Sequence, residues 1–313
     1  MAHGLLTTAA LDTLRAPRLW TIGLAGFLAR GGIVPFALPV IVLPSVVGLT
    51  TFIGPNSVTA AGLAPRLVVL LALTAVTLAA TLLLGTLVGV ATERALIGAI
   101  VTGHVGEAGR GSLAAGSPAL AALVAIRLVA LVPVGVAVAL GGAHLGQVAY
   151  QELILPSDSS APFVVRVLLA APEVVVALVA AWLVSELVGA VAVRLALLDR
   201  RSIAGALGGA LVWIARRPVR SLAVLVATTL GSVVLIGPAL VGCAVAWSVV
   251  RTVLLGGSDP TQALGLVGLF VSCWIGGLVL AGFAATWRSA AWSLAVVEDH
   301  RVGGPSSVVG GNL

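Results

Sequence analysis

The chain has 313 residues, of which 60% are hydrophobic and 9% are charged, and its mean hydropathy is +1.19. So much apolar surface cannot be buried in one water-facing core, which excludes a soluble domain. The net charge of +6 comes from arginines that flank apolar segments, so it indicates attraction to anionic membrane lipid, and nucleic acid is not an expected partner.

Six segments are long and apolar enough to cross a bilayer as helices, for which about 20 residues suffice. We place them at about residues 31–52, 67–91, 128–150, 167–193, 221–250 and 264–285. Glu93 and Arg94 are taken to end the second span, residues 287–299 are expected to form an amphipathic extension, and residues 301–313 a flexible tail. The predicted fold is all-α, a six-span transmembrane helical bundle within a single integral membrane domain, residues 1–313.

The odd-numbered spans contain prolines, which interrupt a helix because proline lacks the backbone N–H. Pro35 and Pro39 lie in the first span, Pro133 in the third and Pro238 in the fifth. Broken spans free backbone groups that can hold a substrate near the middle of a bilayer. These kinks, together with Glu173 near the start of the fourth span, are candidates for a substrate site.

A spacing of about 100 residues indicates an internal repeat. Pro17, Pro118 and Pro218 each precede an odd-numbered span, and Arg94 and Arg194 are also 100 positions apart. Chance matching within a repetitive composition is the alternative explanation. The repeat predicts three tandem helical hairpins, at about residues 1–110, 111–200 and 201–300.

Arginine is distributed unequally between the two sides of the predicted bundle. The side that holds both termini and the connectors after the second and fourth spans contains nearly every arginine. The loops after the odd-numbered spans have arginine only at their edges, and two of them contain acids. Short arginine-rich loops stay in the cytoplasm. Both termini are therefore expected to be cytoplasmic, with the protein in the inner membrane of a bacterium.

The connector 199–220 is strongly basic and too polar to cross a bilayer. Its apolar residues recur at helical spacing between two groups of arginines, which is typical of an amphipathic helix lying in the headgroup layer. We expect contact with anionic lipid headgroups through Arg200, Arg201, Trp213, Arg216, Arg217 and Arg220.

Ionisable residues within the spans are costly and suggest either a partner or a function. Arg127 and Glu186 lie at similar distances from the loop between the third and fourth spans, which predicts that they meet as an ion pair. The same reasoning pairs Arg30 with Glu93. Such pairs either hold the helices in register or belong to a proton or ion relay. Exchanging Arg127 and Glu186 is then expected to restore the folded yield that either single reversal loses.

The sequence contains no recognisable catalytic or nucleotide-binding motif. Its four histidines are scattered, so no metal site is expected. Cys243 and Cys273 are interpreted as small buried apolar residues, and their contact with each other is left open. We therefore expect neither enzymatic activity nor a cofactor.

The segment IAGALGGALVWIARRPVRSLAVLVATTLG, residues 203–231, joins an amphipathic part to a long apolar part through Arg216, Arg217 and Pro218. It resembles a segment of bacterial polytopic proteins that are similar to the membrane domain of glycerophosphodiester phosphodiesterases. The resemblance implies a multi-helix bundle with interfacial helices. It carries no active site, because it does not extend to the soluble catalytic domain.

We predict a membrane scaffold or accessory protein, and a transporter or lipid-handling permease is the alternative. A membrane scaffold or accessory protein would use its headgroup-level helices to bind lipid or a protein partner, and the scarcity of polar residues within the spans favours it. A transporter or lipid-handling permease would bind its substrate among the proline-kinked helices. A cavity between the first, third and fifth spans would favour transport, whereas a bundle packed solid with Leu, Val and Ala would favour the scaffold.

Overall fold

Within the described residues, six helices are long and apolar enough to cross a membrane, which confirms the all-α prediction and the predicted number of apolar helices. The computed structural model describes residues 2–37, 40, 58–59, 62–105, 118–155, 157, 163–256 and 260–303. The length and composition of the six helices are those of a multi-pass membrane protein.

The described residues contain the following helical segments. In chain order they are α1 Ala2–Arg15, α2 Arg18–Phe27, a π-helical turn Leu28–Gly32, α3 Ile33–Ala37, α4 Pro65–Val105, α5 Leu120–Ala130, α6 Val132–Ile154, α7 Phe163–Ala170, α8 Pro172–Asp199, α9 Ile203–Arg216, α10 Pro218–Leu255 and α11 Pro260–Gly303. A pair of two-residue antiparallel strands, β1 Val58–Thr59 and β2 Gly62–Leu63, precedes α4. The six spans are α2 with α3, α4, α5 with α6, α8, α10 and α11.

The first span runs from Arg18 to Ala37, whereas the sequence prediction places it at about residues 31–52. The predicted start is wrong because a charged residue such as Arg30 within an apolar run resembles the boundary of a span, whereas the span passes through it. In fact α2 begins directly after Pro17, where the fixed φ of proline suits the start of a helix. Pro39 and the predicted continuation of the span from residue 41 lie outside the described residues.

The second and sixth spans continue beyond the length that a bilayer requires. α4 has 41 residues and α11 has 44, which correspond to about 60 and 65 Å of helix at a rise of 1.5 Å per residue. The expected helix ends at Glu93 and near residue 285 are therefore corrected, because both helices pass through these positions. Residues 287–299 continue α11 directly, and residues 289–296 are all buried instead of forming an amphipathic extension.

One end of the bundle is tightly packed. α11 lies at its centre and contacts α1, α2, α4, α8 and α10. The main core consists of residues within 5–9, 90–101, 123–126, 190–197, 206–213, 224–225 and 290–296, and we call this region the packed end. Away from it the helices expose apolar side chains, as α4 does over residues 68–84. Such a surface suits contact with lipid chains.

Glycines allow α2 to lie directly against α4 and α11. A Cβ atom on Gly26 would come within 2.6 Å of the Thr92 hydroxyl of α4, and one on Gly282 of α11 would come within 2.6 Å of the Trp20 carbonyl oxygen. The Thr286 hydroxyl also donates a hydrogen bond to the Leu19 carbonyl, at 3.0 Å. This close approach brings the π-helical turn after α2 next to the charged residues of α4 and α11.

Candidate functional site

Glu93 accepts hydrogen bonds from three arginines on three different spans. Its Oε2 atom lies 2.6 Å from Arg30 Nη2 and 2.7 Å from Arg127 Nη2, and its Oε1 atom lies 3.0 Å from Arg194 Nη1. The Glu93 side chain is only 5% exposed. The structure thus brings together Arg30 and Glu93, which the sequence pairs, and adds two further cations to the same carboxylate.

Arg194 is the most completely enclosed of these cations, with 1% of its side chain exposed. Besides Glu93, its guanidinium donates to the Ala190 carbonyl at 2.7 Å, the Ser289 carbonyl at 3.1 Å and the Ser293 hydroxyl at 3.2 Å. Arg194 therefore ties α8 to both α4 and α11. The sequence analysis uses this residue only as a marker of the repeat, because it ends the fourth span at residue 193, whereas the helix continues to Asp199.

Glu186 forms the second negative centre of the cluster. Its Oε1 atom lies 3.1 Å from Arg288 Nη2, and its Oε2 atom lies 3.8 Å from Arg127 Nη1. Arg127 therefore lies between two carboxylates and is closer to Glu93 than to Glu186, its partner in the sequence prediction. The two expected pairs form one network, and Arg288 is a member that sequence reasoning missed because it considered pairs only within one hairpin.

Two glycines provide the space for the arginine side chains. The Cβ that an alanine would add at Gly189 lies 3.3 Å from Arg127 Cδ, and one added at Gly89 lies 3.1 Å from Arg30 Nε. Each guanidinium can therefore approach its carboxylate along the backbone of the neighbouring helix. The small residues of α4 and α8 serve the ion network as well as helix packing.

A cavity of about 340 Å³ opens beside this network. It lies between α2, α4, α8, α10 and α11, and Arg30, Glu93, Glu186, Arg194 and Arg288 line its charged side. The other side is apolar and includes Phe27, Leu96, Trp182 and Ile236. A cavity with convergent charges and an apolar wall has the size and the lining of a small-molecule site.

The first span is broken where it lines the cavity. Arg30 and Gly31 depart from helical geometry, and Gly31 has φ of +88°, which an L side chain adopts only with strain. The break turns Arg30 towards Glu93. Pro35 follows one turn later and also lines the cavity.

The other predicted kink residues lie elsewhere. Pro133 is in the first turn of α6, after a break at Leu131, and Pro238 lies inside α10. Glu173 is in the first turn of α8, and its Oε1 atom lies 2.9 Å from His144 Nε2 on α6. The cavity therefore includes only Pro35 of the described kink residues, and Glu173 belongs to a separate polar pair.

The basic segment contacts acids of α11 as well as solvent. Arg217 forms an ion pair with Asp299, and Arg220 Nη2 lies 2.7 Å from Glu298 Oε2. Trp213 is 9% exposed and donates its indole N–H to Asp299 at 3.0 Å. The structure thus places Trp213 inside the protein, between α9 and α11, whereas the sequence expectation gave it a headgroup contact.

The remaining arginines of this segment lie at the surface. Arg200 and Arg216 are exposed, and Arg200 has φ of 57° where it ends α8. Arg201 Nη2 lies 2.9 Å from Asp199 Oδ2. Leu211 and Val212 of α9 are also exposed.

Within the described part of the chain, no group of three His, Cys, Asp or Glu side chains is arranged to hold a metal ion. Cys243 and Cys273 are free thiols, and Cys273 lies beside Gly242 on the facing helix.

Comparison with known proteins adds no relative. No protein-family model, no curated protein and no solved structure matches this chain.

Proposed function

We propose that this protein is a transporter or lipid-handling permease of the bacterial inner membrane, which binds its substrate in the cavity and has no catalytic activity of its own. The observation that carries the proposal is the cavity itself, which lies among the helices of the spans and is lined by the charged network. Charged side chains in membrane spans usually face such cavities and mark substrate or ion pathways.

The break in the first span supports the same function. Arg30 and Gly31 interrupt the helix at the cavity wall, and interrupted helices are where many transporters bind substrate and change shape. From the sequence, a cavity between the first, third and fifth spans is the feature expected of a transporter. The observed cavity is lined by the first, second, fourth, fifth and sixth, so it favours transport with a different set of helices.

A scaffold or accessory role is the second candidate, and α9 is the observation that favours it. Leu211 and Val212 are exposed on this helix next to the exposed Arg216. A helix of this composition, lying at the headgroups with both chain termini in the cytoplasm, would bind anionic lipid or a partner. The tandem hairpins and the internal repeat belong to either candidate and stay predictions.

Accessibility of the cavity from the two sides of the membrane distinguishes the candidates. A transporter exposes its site to each side in turn, so a cysteine introduced by Ala285→Cys should react with an impermeant maleimide in both right-side-out and inside-out vesicles. The background is Cys243→Ala with Cys273→Ala, because these are the only two native cysteines. Ala285 lines the cavity and is partly buried.

Gln262→Cys is the matched control, because Gln262 is exposed at the opposite end of the same helix. It should react from one side only. If Ala285→Cys reacts from one side or from neither, transport is contradicted and the scaffold is favoured.

A further inference from the structure

Two donor atoms buried at the cavity have no hydrogen-bond acceptor among the residues that the structure describes. Arg288 Nη2 lies 3.1 Å from Glu186 Oε1 without the geometry of a hydrogen bond, and Trp292 Nε1 has no hydrogen-bond partner. Trp292 is 1% exposed. The two residues are four apart on α11, so they lie on one face of the helix, and both line the cavity. Because an unpaired buried donor is costly, their convergence indicates a missing acceptor.

The charge of the network points to an anion as that acceptor. Four guanidinium groups, those of Arg30, Arg127, Arg194 and Arg288, face two carboxylates, those of Glu93 and Glu186. Arginine keeps its charge in proteins, so the network has a net charge of +2. An excess of buried positive charge is unfavourable unless a partner neutralises it.

Arg30 is the arginine best placed to donate further hydrogen bonds to the same anion. Its side chain is 40% exposed and lines the same cavity. Its Nη2 atom is held by Glu93 and by the Gly89 carbonyl, and the planar guanidinium has further N–H groups to offer. Arg194, by contrast, already donates to five acceptors.

We propose that the cavity binds a phosphate monoester, whose oxygens accept hydrogen bonds from Arg288, Trp292 and Arg30 and whose organic part lies against the apolar wall formed by Phe27, Trp182 and Ile236. This inference rests on the proposed function and names its substrate class. A phosphate monoester has nearly two negative charges at neutral pH, which match the net charge of the network, and three acceptor oxygens for the donors. Its source is either a soluble organic phosphate or the headgroup of a lipid such as phosphatidic acid.

Binding to the purified full-length protein in a phosphate-free non-ionic detergent tests the proposal. The probes are phenyl phosphate and dioctanoyl phosphatidic acid, with benzoate and dioctanoyl phosphatidylcholine as comparators, and the dissociation constants are measured by isothermal titration calorimetry. At least one of the two phosphate monoesters should bind about tenfold or more tightly than its comparator, because a second neutralised charge with its hydrogen bonds is worth that much.

The variants locate the site. Arg288→Gln should weaken binding about tenfold or more, and Trp292→Phe, which keeps the ring and removes the donor, about fivefold. Arg216→Gln is the control, because Arg216 is exposed on α9 outside the cavity, and it should leave binding within about twofold. If Arg288→Gln does not fold, Trp292→Phe alone decides the test.

Each outcome is decisive. Binding of phenyl phosphate alone identifies a soluble substrate, binding of phosphatidic acid alone identifies a lipid, and binding of both identifies the headgroup as sufficient; all three support the proposal. It is overturned if neither probe binds, if benzoate matches phenyl phosphate, or if Arg216→Gln weakens binding as much as the cavity variants. Labelling of Ala285→Cys from both sides with no phosphate binding would reject this substrate class and leave transport standing.

Discussion

Glu93 and Arg194 are 101 positions apart in the chain, yet the Arg194 guanidinium donates to the Glu93 carboxylate at 3.0 Å, and both side chains are almost fully enclosed. The contact joins the second span to the fourth. Arg30 and Arg127 approach the other oxygen of the same carboxylate, so Glu93 is the point at which four spans are linked. A buried ion network of this kind adds little net stability when complete, but it becomes strongly destabilising when one partner is removed.

Glu93→Gln should therefore lower stability severely. It leaves Arg30, Arg127 and Arg194 facing one another without their shared anion, and breaking a buried pair typically costs about 3–5 kcal/mol. The measurement is the melting temperature in detergent, followed by fluorescence-detected size exclusion. Glu298→Gln is the control, because Glu298 is exposed and pairs only at the surface with Arg220, so its loss should cost about 1 kcal/mol or less. Equal losses in the two variants would mean that Glu93 does not organise the packed end.

The sequence and the structure predict opposite results for the double variant in which Arg127 and Glu186 are exchanged. If the two residues formed an isolated pair, the double exchange would restore the folded yield. In the network, however, the carboxylate introduced at position 127 would face the Glu93 carboxylate that Arg127 now contacts at 2.7 Å, and the guanidinium introduced at position 186 would face Arg288. We expect the double exchange to be as poorly folded as either single reversal, measured as the monodisperse yield after detergent extraction. Recovery of the wild-type yield would show that the pair is independent of Glu93 and Arg288.

The sequence predicts the number of spans because each needs only a sufficient length of apolar residues, a local property. It also brings Arg127 and Glu186 to a similar depth, since both are counted from one loop. It misses Arg194 and Arg288 in the network, because their contacts depend on how non-consecutive spans pack, and no local pattern records that packing.

The sequence also mispredicts the residue at which the first span begins. A charged Arg30 in an apolar run suggested a boundary, but Glu93 and the Gly89 carbonyl on a neighbouring helix neutralise it within the span. The unwound Gly31 was likewise beyond prediction, because glycine is abundant throughout this chain and its positive φ is a property of the folded state alone.

Replacement of Trp213 tests whether its side chain is buried between α9 and α11, as it is in the structure. Trp213→Ala should lower the free energy of unfolding by about 3 kcal/mol, because it removes a large buried ring together with the hydrogen bond to Asp299. Leu211→Ala, at a position that is 56% exposed on the same helix, should cost about 0.5 kcal/mol or less. Melting temperatures in zwitterionic and in anionic lipid nanodiscs provide the measurement. A loss for Trp213→Ala that occurs only in anionic lipid would instead support the headgroup contact expected from the sequence.

The broken turn of the first span links backbone geometry to the cavity. Gly31→Ala meets no neighbouring atom within 4 Å, so its effect arises from the positive φ alone, which costs an L residue about 1–2 kcal/mol. Gly98→Ala is the matched control, because Gly98 also has no atom within 4 Å of an added Cβ but lies inside regular helix, where alanine is favoured by about 0.5–1 kcal/mol.

We expect Gly31→Ala to lower the melting temperature and Gly98→Ala to raise it. The strain at position 31 is relieved if the π-helical turn winds into a regular helix, which would draw Arg30 away from Glu93 and narrow the cavity. Gly31→Ala should therefore also slow maleimide labelling of Ala285→Cys, whereas Gly98→Ala should leave the labelling rate unchanged. A lower melting temperature with unchanged labelling would mean that the break shapes the helix but does not control access to the cavity.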